Sequence, residues 1–115
     1  AAFARGPARL EVLPRVDDMP SLLLDTDLCI TAGGSTCWEL CCLGVPFLTI
    51  LGAENQRHIC YWLAEKGYAP RFSRVAFMAM LTDAQYCRHM VARLDQLVDA
   101  QGAARVLAPC KQLKA

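Results

Sequence analysis

The chain has almost no net charge. Twelve Lys and Arg stand against eleven Asp and Glu, a formal +1. It also lacks a dense basic tract: Arg5, Arg9 and Arg15 are scattered near one end, Lys111 and Lys114 near the other. A polyanion needs several phosphates neutralised together, so no nucleic-acid partner is expected. No long apolar run exists. Residues 41–53 come nearest, but they are too few to span a bilayer as a helix and are interrupted by Gly44 and Pro46. Membrane insertion is therefore not expected. The first residues, Ala-Ala-Phe-Ala-Arg-Gly-Pro, carry no apolar signal-like core. They also carry no initiator Met, which suggests a processed or excised piece.

The seven cysteines form no C-x-x-C pair, are odd in number, and lie mostly inside apolar segments. That pattern fits reduced thiols packed as small hydrophobes in a cytoplasmic protein. His58, Cys60, Cys87 and His89 can be assembled into a metal site on paper. Apolar placement explains them as well, and zinc ligands usually come paired at short spacing, so no metal is expected.

What is present is a 115-residue chain, 55% hydrophobic and 20% charged, enough for one globular domain with a real core. Residues 1–9 read as an extension and 10–115 as the domain. Strand and helix signals alternate: a short strand at 10–13, a helix capped by Asp17 and Asp18, a buried strand at 28–31, a helix at 36–43 stopped by Gly44, and a strand at 47–51. A helix at 55–66 closed by Gly67, a short strand at 68–72, a long helix from Thr82 or Asp83 to about 99, and a last helix at 103–113 follow. This alternation predicts an α/β fold, a Rossmann-like parallel sheet with helices on both faces. Such sheets bind ligands at the carboxyl ends of their strands.

The junction Gly33-Gly34-Ser35-Thr36 falls at one of those ends. Two glycines permit a sharp turn and close backbone approach to a ligand. The helix behind them offers free N–H groups and a positive dipole end, and Ser35 and Thr36 add hydroxyls. Together these suit a phosphate or diphosphate. No lysine follows the glycines and no G-x-G-x-x-G is present, so neither an ATPase phosphate loop nor the dinucleotide fingerprint is written here. The competing reading is a plain turn, with Thr36 as N-cap and Glu39 completing a T-x-x-E capping box. Glu39 is claimed by both: back toward Thr36 as a cap, or outward to accept from two ribose hydroxyls. A second polar cluster, Glu54-Asn55-Gln56-Arg57-His58, opens the next helix toward the same crevice. Asn55 and Gln56 can grip sugar hydroxyls or phosphate oxygens, or serve as a solvated first turn. Cys37 has no base visibly paired with it, and no catalytic residue is assigned.

At these residues the chain resembles a known family. The loop Ala-Gly-Gly-Ser-Thr, then Trp-Glu, Cys-Cys-Leu-Gly-Val-Pro and Glu-Asn-Gln is similar to the carboxyl-terminal half of the nucleotide-sugar hydrolases of pseudaminic acid biosynthesis. Those enzymes act on UDP-2,4-diacetamido-2,4,6-trideoxy-β-L-altropyranose and release UDP. The segment "LVDAQGAARV" looks like their closing helix, so the resemblance spans about residues 10–107. A more distant likeness is to the undecaprenyl-pyrophosphoryl-muramoyl-pentapeptide N-acetylglucosaminyltransferases, which share the two-domain GT-B architecture. The resemblance implies that Gly33, Gly34, Ser35 and Thr36 hold the UDP diphosphate and Glu39 its ribose. It implies that Asn55 and Gln56 face sugar and phosphates, and that Arg15, Val16, Asp17 and Met19 lie by the uracil, largely through main chain. No cofactor or metal is implied beyond the UDP-sugar ligand. The family's amino-terminal domain, with its catalytic histidine, has no counterpart here; His58 and His89 do not stand in that motif. The expectation is a UDP-sugar-binding domain of a hydrolase, incomplete for catalysis alone and completed by a missing domain or a homodimer partner. The alternatives are the donor domain of a GT-B glycosyltransferase, or a non-enzymatic dimerisation module with a vestigial pocket.

Overall fold

The computed structural model describes the backbone of residues 8–113, with side chains to residue 109. Most of the extension expected at 1–9 lies outside the described residues. Eight elements run in order: α1 (Met19–Leu24), β1 (Cys29–Ala32), α2 (Thr36–Leu43), β2 (Phe47–Ile50), α3 (Arg57–Glu65), α4 (Arg74–Thr82), α5 (Ala84–Leu97) and α6 (Gly102–Leu113). A single 3-10 turn, Glu54–Gln56, leads into α3.

β1 and β2 pair in parallel, with Cys29 opposite Phe47 and Ala32 opposite Ile50. Because the two strands run the same way, both carboxyl ends lie at one edge of the sheet. Phe47, Leu48 and Thr49 point alternately to opposite faces of the sheet and all three are buried, so both faces of β2 are covered. Leu23 of α1, Leu40 of α2, Leu63 of α3, Met80 of α4 and Met90 and Leu94 of α5 close one core around them.

Two helices stop by the same device. Gly44 and Gly67 have φ of 70° and 75°, left-handed backbone open to glycine. After α2, Val45 N–H donates to Leu40 O and Gly44 N–H to Cys41 O. After α3, Tyr68 and Gly67 repeat this with Leu63 and Ala64. These are Schellman closures, and each turns the chain straight into the next segment.

Three expectations change. The strand at 10–13 does not form: the segment is irregular, and Leu10, Val12 and Leu13 are exposed with no strand beside them. The strand at 68–72 shrinks to one parallel bridge between Thr49 and Arg71, where Pro70 supplies no N–H to a ladder. The long helix is preceded by another, α4, which the sequence reading omitted.

Candidate functional site

β1 ends at Ala32 and the chain turns over Gly33, Gly34 and Ser35 into α2. Gly34 N–H donates to Ala32 O (2.9 Å), and Cys37 N–H donates to Gly34 O (3.1 Å). Ser35 and Thr36 N–H groups meet no acceptor among the described residues. They sit where the helix dipole is most positive. The N-cap is Ser35, its side chain makes no capping bond, and Glu39 does not reach back. The T-x-x-E capping box is therefore not formed. Glu39 lies exposed in the first turn of α2, clear of the backbone it would have capped.

The glycines have a role that their spacing did not reveal. A Cβ on Gly33 would stand 2.5 Å from Cys60 Sγ and 3.2 Å from Gln56 O. One on Gly34 would lie 3.5 Å from Gln56 Nε2, and one on Gly52 would lie 3.2 Å from Gln56 Oε1. The Gln56 carboxamide is thus inserted between the loop after β1 and the loop after β2. Its Oε1 is buried and unpaired among the described residues, an acceptor held beside the junction without a donor. Sequence reasoning missed Gly52 and Cys60 as supports of the loop. The available signal was that a glycine closely follows each of the two strands.

The other expected residues distribute unevenly. Asn55 is exposed on the 3-10 turn, one position before Gln56. Arg57 does not offer a free guanidinium to the crevice: it makes two hydrogen bonds to the Glu54 carboxylate, 2.9 and 2.7 Å. That contact holds Glu54 below its ordinary carboxylate range. Arg15 pairs with Asp17 at 2.9 Å, both largely solvated. Val16 is half-buried, and Met19 opens α1 behind the Asp18 cap. A small groove of about 190 Å³ lies between α1 and α2, lined by Pro20, Glu39, Cys42 and Leu43. A larger groove of about 510 Å³ lies between the first turn of α2 and α3, lined by Trp38, His58, Ile59, Tyr61, Trp62 and Glu65.

The thiols near the loop are packed rather than poised. Cys37 is fully buried and donates to Ala32 O at 3.5 Å. Burial, with Cys60 and Cys29 close by, pushes its thiol up to about 11. It stays protonated and unreactive near neutrality. Among the described residues no group of three or more His, Cys, Asp or Glu is placed to hold a metal ion. No helix among them is long and apolar enough to cross a membrane.

Set against known proteins, the chain is 36% identical over 107 residues to the UDP-N-acetylglucosamine--N-acetylmuramyl-(pentapeptide) pyrophosphoryl-undecaprenol N-acetylglucosamine transferase of Chromobacterium violaceum. The match takes in 87% of this chain and 28% of that one. The chain is similar to GT-B glycosyltransferases. The same transferase of Lacticaseibacillus casei is 42% identical over 53 residues, 45% of this chain and 15% of its own length. The spore coat polysaccharide biosynthesis protein SpsG of Bacillus subtilis is 32% identical over 59 residues, 51% of this chain and 17% of its own. No protein-family model and no solved structure matches. The chain spans between about a sixth and a little over a quarter of the length of these relatives. The α/β expectation stands: a parallel sheet with helices, consistent with one Rossmann-like half of the GT-B architecture. The relatives speak for the transferase alternative, and the hydrolase reading rests on the motif resemblance alone.

Proposed function

We propose that this chain is the UDP-sugar-binding domain of a GT-B-type glycosyltransferase. The observation that carries the reading is the junction itself. Ser35 and Thr36 N–H groups, without an acceptor among the described residues, stand at a helix N-terminus at the carboxyl ends of two parallel strands. This junction belongs to a chain 36% identical over 107 residues to a transferase whose name specifies a UDP-sugar donor. In this reading Gly33, Gly34, Ser35 and Thr36 receive the diphosphate. Backbone N–H groups and the dipole stabilise the charge that grows on the departing UDP, without a metal. Glu39 accepts from the ribose hydroxyls. Arg15, Val16, Asp17 and Met19 border the base, across the groove that joins Pro20 to Glu39. Asn55 turns to the sugar, and Gln56, wedged between the two loops, holds the junction in shape beside the phosphates. The acceptor, lipid-linked in the relatives' names, and the groups that complete the chemistry come from a second domain or a partner chain. By itself the domain binds and does not turn over, and it works in the cytoplasm.

A second reading keeps the site and changes the reaction to hydrolysis of a UDP-sugar. Trp38-Glu39 and Cys41-Cys42-Leu43-Gly44, which resemble the pseudaminate-type hydrolases, favour it. A complete two-domain enzyme that transfers sugar to an acceptor decides for the transferase, and release of free sugar to water decides for the hydrolase.

Calorimetric titration with UDP tests the binding reading. The expected Kd is about 10 μM to 1 mM, roughly −7 to −4 kcal/mol. Glu39→Ala should lose about 1–3 kcal/mol, the cost of leaving ligand hydroxyls without their acceptor in a cleft. No heat with UDP at millimolar concentration, with the fold intact by circular dichroism, rejects the proposal.

A further inference from the structure

Both tryptophans of the chain, Trp38 and Trp62, line the groove of about 510 Å³ between the first turn of α2 and α3, together with Tyr61. Trp38 is 37% exposed, Tyr61 41% and Trp62 39%, so each is more than half covered and still open to the groove. The two on α3 are held from behind. Trp62 stacks on Tyr68 with ring centroids 5.4 Å apart, and the Arg71 guanidinium stands 4.4 Å from the centre of the Tyr61 ring. Neither Tyr68 nor Arg71 lines the groove. A wall fixed in this way keeps its shape with nothing bound to it. That is the property of a preformed ligand site, lined by aromatic groups with a few polar ones among them.

The polar groups of the groove stand at its ends. His58 and Glu65 lie on one face of α3, about 10 Å apart along its axis, with Tyr61 and Trp62 between them. That length suits two pyranose rings laid end to end. A β-linked saccharide with equatorial hydroxyls has apolar C–H faces, whose hydrogens meet the negative face of an aromatic ring. Its hydroxyls form a polar rim that imidazole and carboxylate can pair. A wholly apolar ligand would cover His58 and Glu65 and pair neither. A second copy of the chain has little to gain here. The three aromatic residues are already more than half covered, and what remains falls well short of the roughly 800 Å² that each partner buries in a stable complex. Trp38 immediately precedes Glu39, and His58 follows closely after Gln56. The groove therefore begins beside the nucleotide junction.

We propose that the groove between α2 and α3 is a second saccharide subsite, in which a β-linked, equatorially substituted saccharide lies along α3 against Trp38 and Trp62, its hydroxyls paired by His58 and Glu65. For its use the subsite rests on the donor reading, since the saccharide then lies beside the sugar that UDP carries. For its binding it does not, because no residue assigned to UDP lines the groove.

The test is intrinsic fluorescence of the purified chain titrated with cellotriose, because both indoles of the chain stand in the groove. The saccharide should shift the tryptophan emission to shorter wavelength and saturate with a Kd of about 0.1–10 mM. Trp38→Ala should weaken binding about fivefold or more, read from the remaining Trp62, with its circular dichroism unchanged. Glu65→Ala, at an exposed position, should weaken it by about as much, and carries the test if Trp38→Ala does not fold. Calorimetry with UDP on the same samples separates the two readings. Saccharide binding without UDP binding rejects the donor reading and upholds the subsite. UDP binding with no change of emission up to about 20 mM cellotriose overturns the subsite and leaves the donor reading intact. Cellotriose binding that Trp38→Ala and Glu65→Ala both retain in full overturns it equally, as does an unresponsive wild-type protein that light scattering shows to be self-associated.

Discussion

At the scale of single residues, the site turns on what Gly33 excludes. Its φ is not in the left-handed region, so freedom of the backbone is not the reason for glycine there. The reason is steric: Cys60 Sγ and Gln56 O occupy the space of a Cβ. Cys60 is 1% exposed, with little room to retreat. Gly33→Ala should therefore cost about 1–3 kcal/mol, as overpacking a tight interior does. Urea unfolding measures it. The double variant Gly33→Ala/Cys60→Ala should recover at least half, because the clash and its partner are removed together. Equal loss in both variants would place the strain elsewhere. The same contact explains how far the site was legible. Gly-Gly at a strand end was readable as a turn from a strand into a helix, and the chain does turn there from β1 into α2. The position of Gln56 was not readable. It depends on three glycines from two separate loops meeting one side chain, and no local period encodes that.

At the scale of elements, legibility follows punctuation. α2 was readable residue for residue, because Gly44 stops it and Pro46 bars its continuation. α4 was not readable: apolar on both sides, Val75 through Leu81 has no helical period to detect. Its boundary with α5 rests on Asp83, whose N–H closes α4 on Ala79 O and whose carboxylate caps α5 at Tyr86 N–H, 3.1 Å away. One residue thus ends one helix and starts the next, and the break sets the angle at which Met80 and Met90 reach the core together. Asp83→Ala keeps the first bond and loses the second, and should cost about 1 kcal/mol. Asp83→Asn, which can still accept from Tyr86 N–H, should restore most of it. Chemical denaturation of the three proteins decides; an Asp83→Asn as unstable as Asp83→Ala would mean that charge, not the cap, matters there.

At the scale of the whole molecule, the sheet is small. Two four-residue strands and one bridge support six helices among the described residues. Among the described residues β1 pairs only with β2, and Ile30 on it is 44% exposed. The expected strand at 10–13 would have enlarged this sheet, but its alternating pattern found no strand to pair with, and pattern alone does not make a strand without a partner. The loops after β1 and β2 are held together by Gln56, Cys60 and the parallel pairing, not by a wide sheet behind them. A ligand that bridges Gly33 to Thr36 and Glu39 therefore adds contacts where the fold has few of its own. Binding only the folded state raises stability by RT ln(1 + [L]/Kd), about 1.4 kcal/mol at tenfold excess of UDP over its Kd. For a chain of this size that is a rise of about 5 °C in Tm. Scanning fluorimetry should show this shift with UDP and UDP-N-acetylglucosamine but not with N-acetylglucosamine alone, because the proposed junction holds the diphosphate and not the free sugar. Glu39→Ala should reduce the shift at the same UDP concentration without changing the Tm of the empty protein, since Glu39 is exposed and makes no capping bond. A variant that lowers the empty Tm by several degrees would instead make Glu39 a structural residue of α2 and remove the ribose assignment from it.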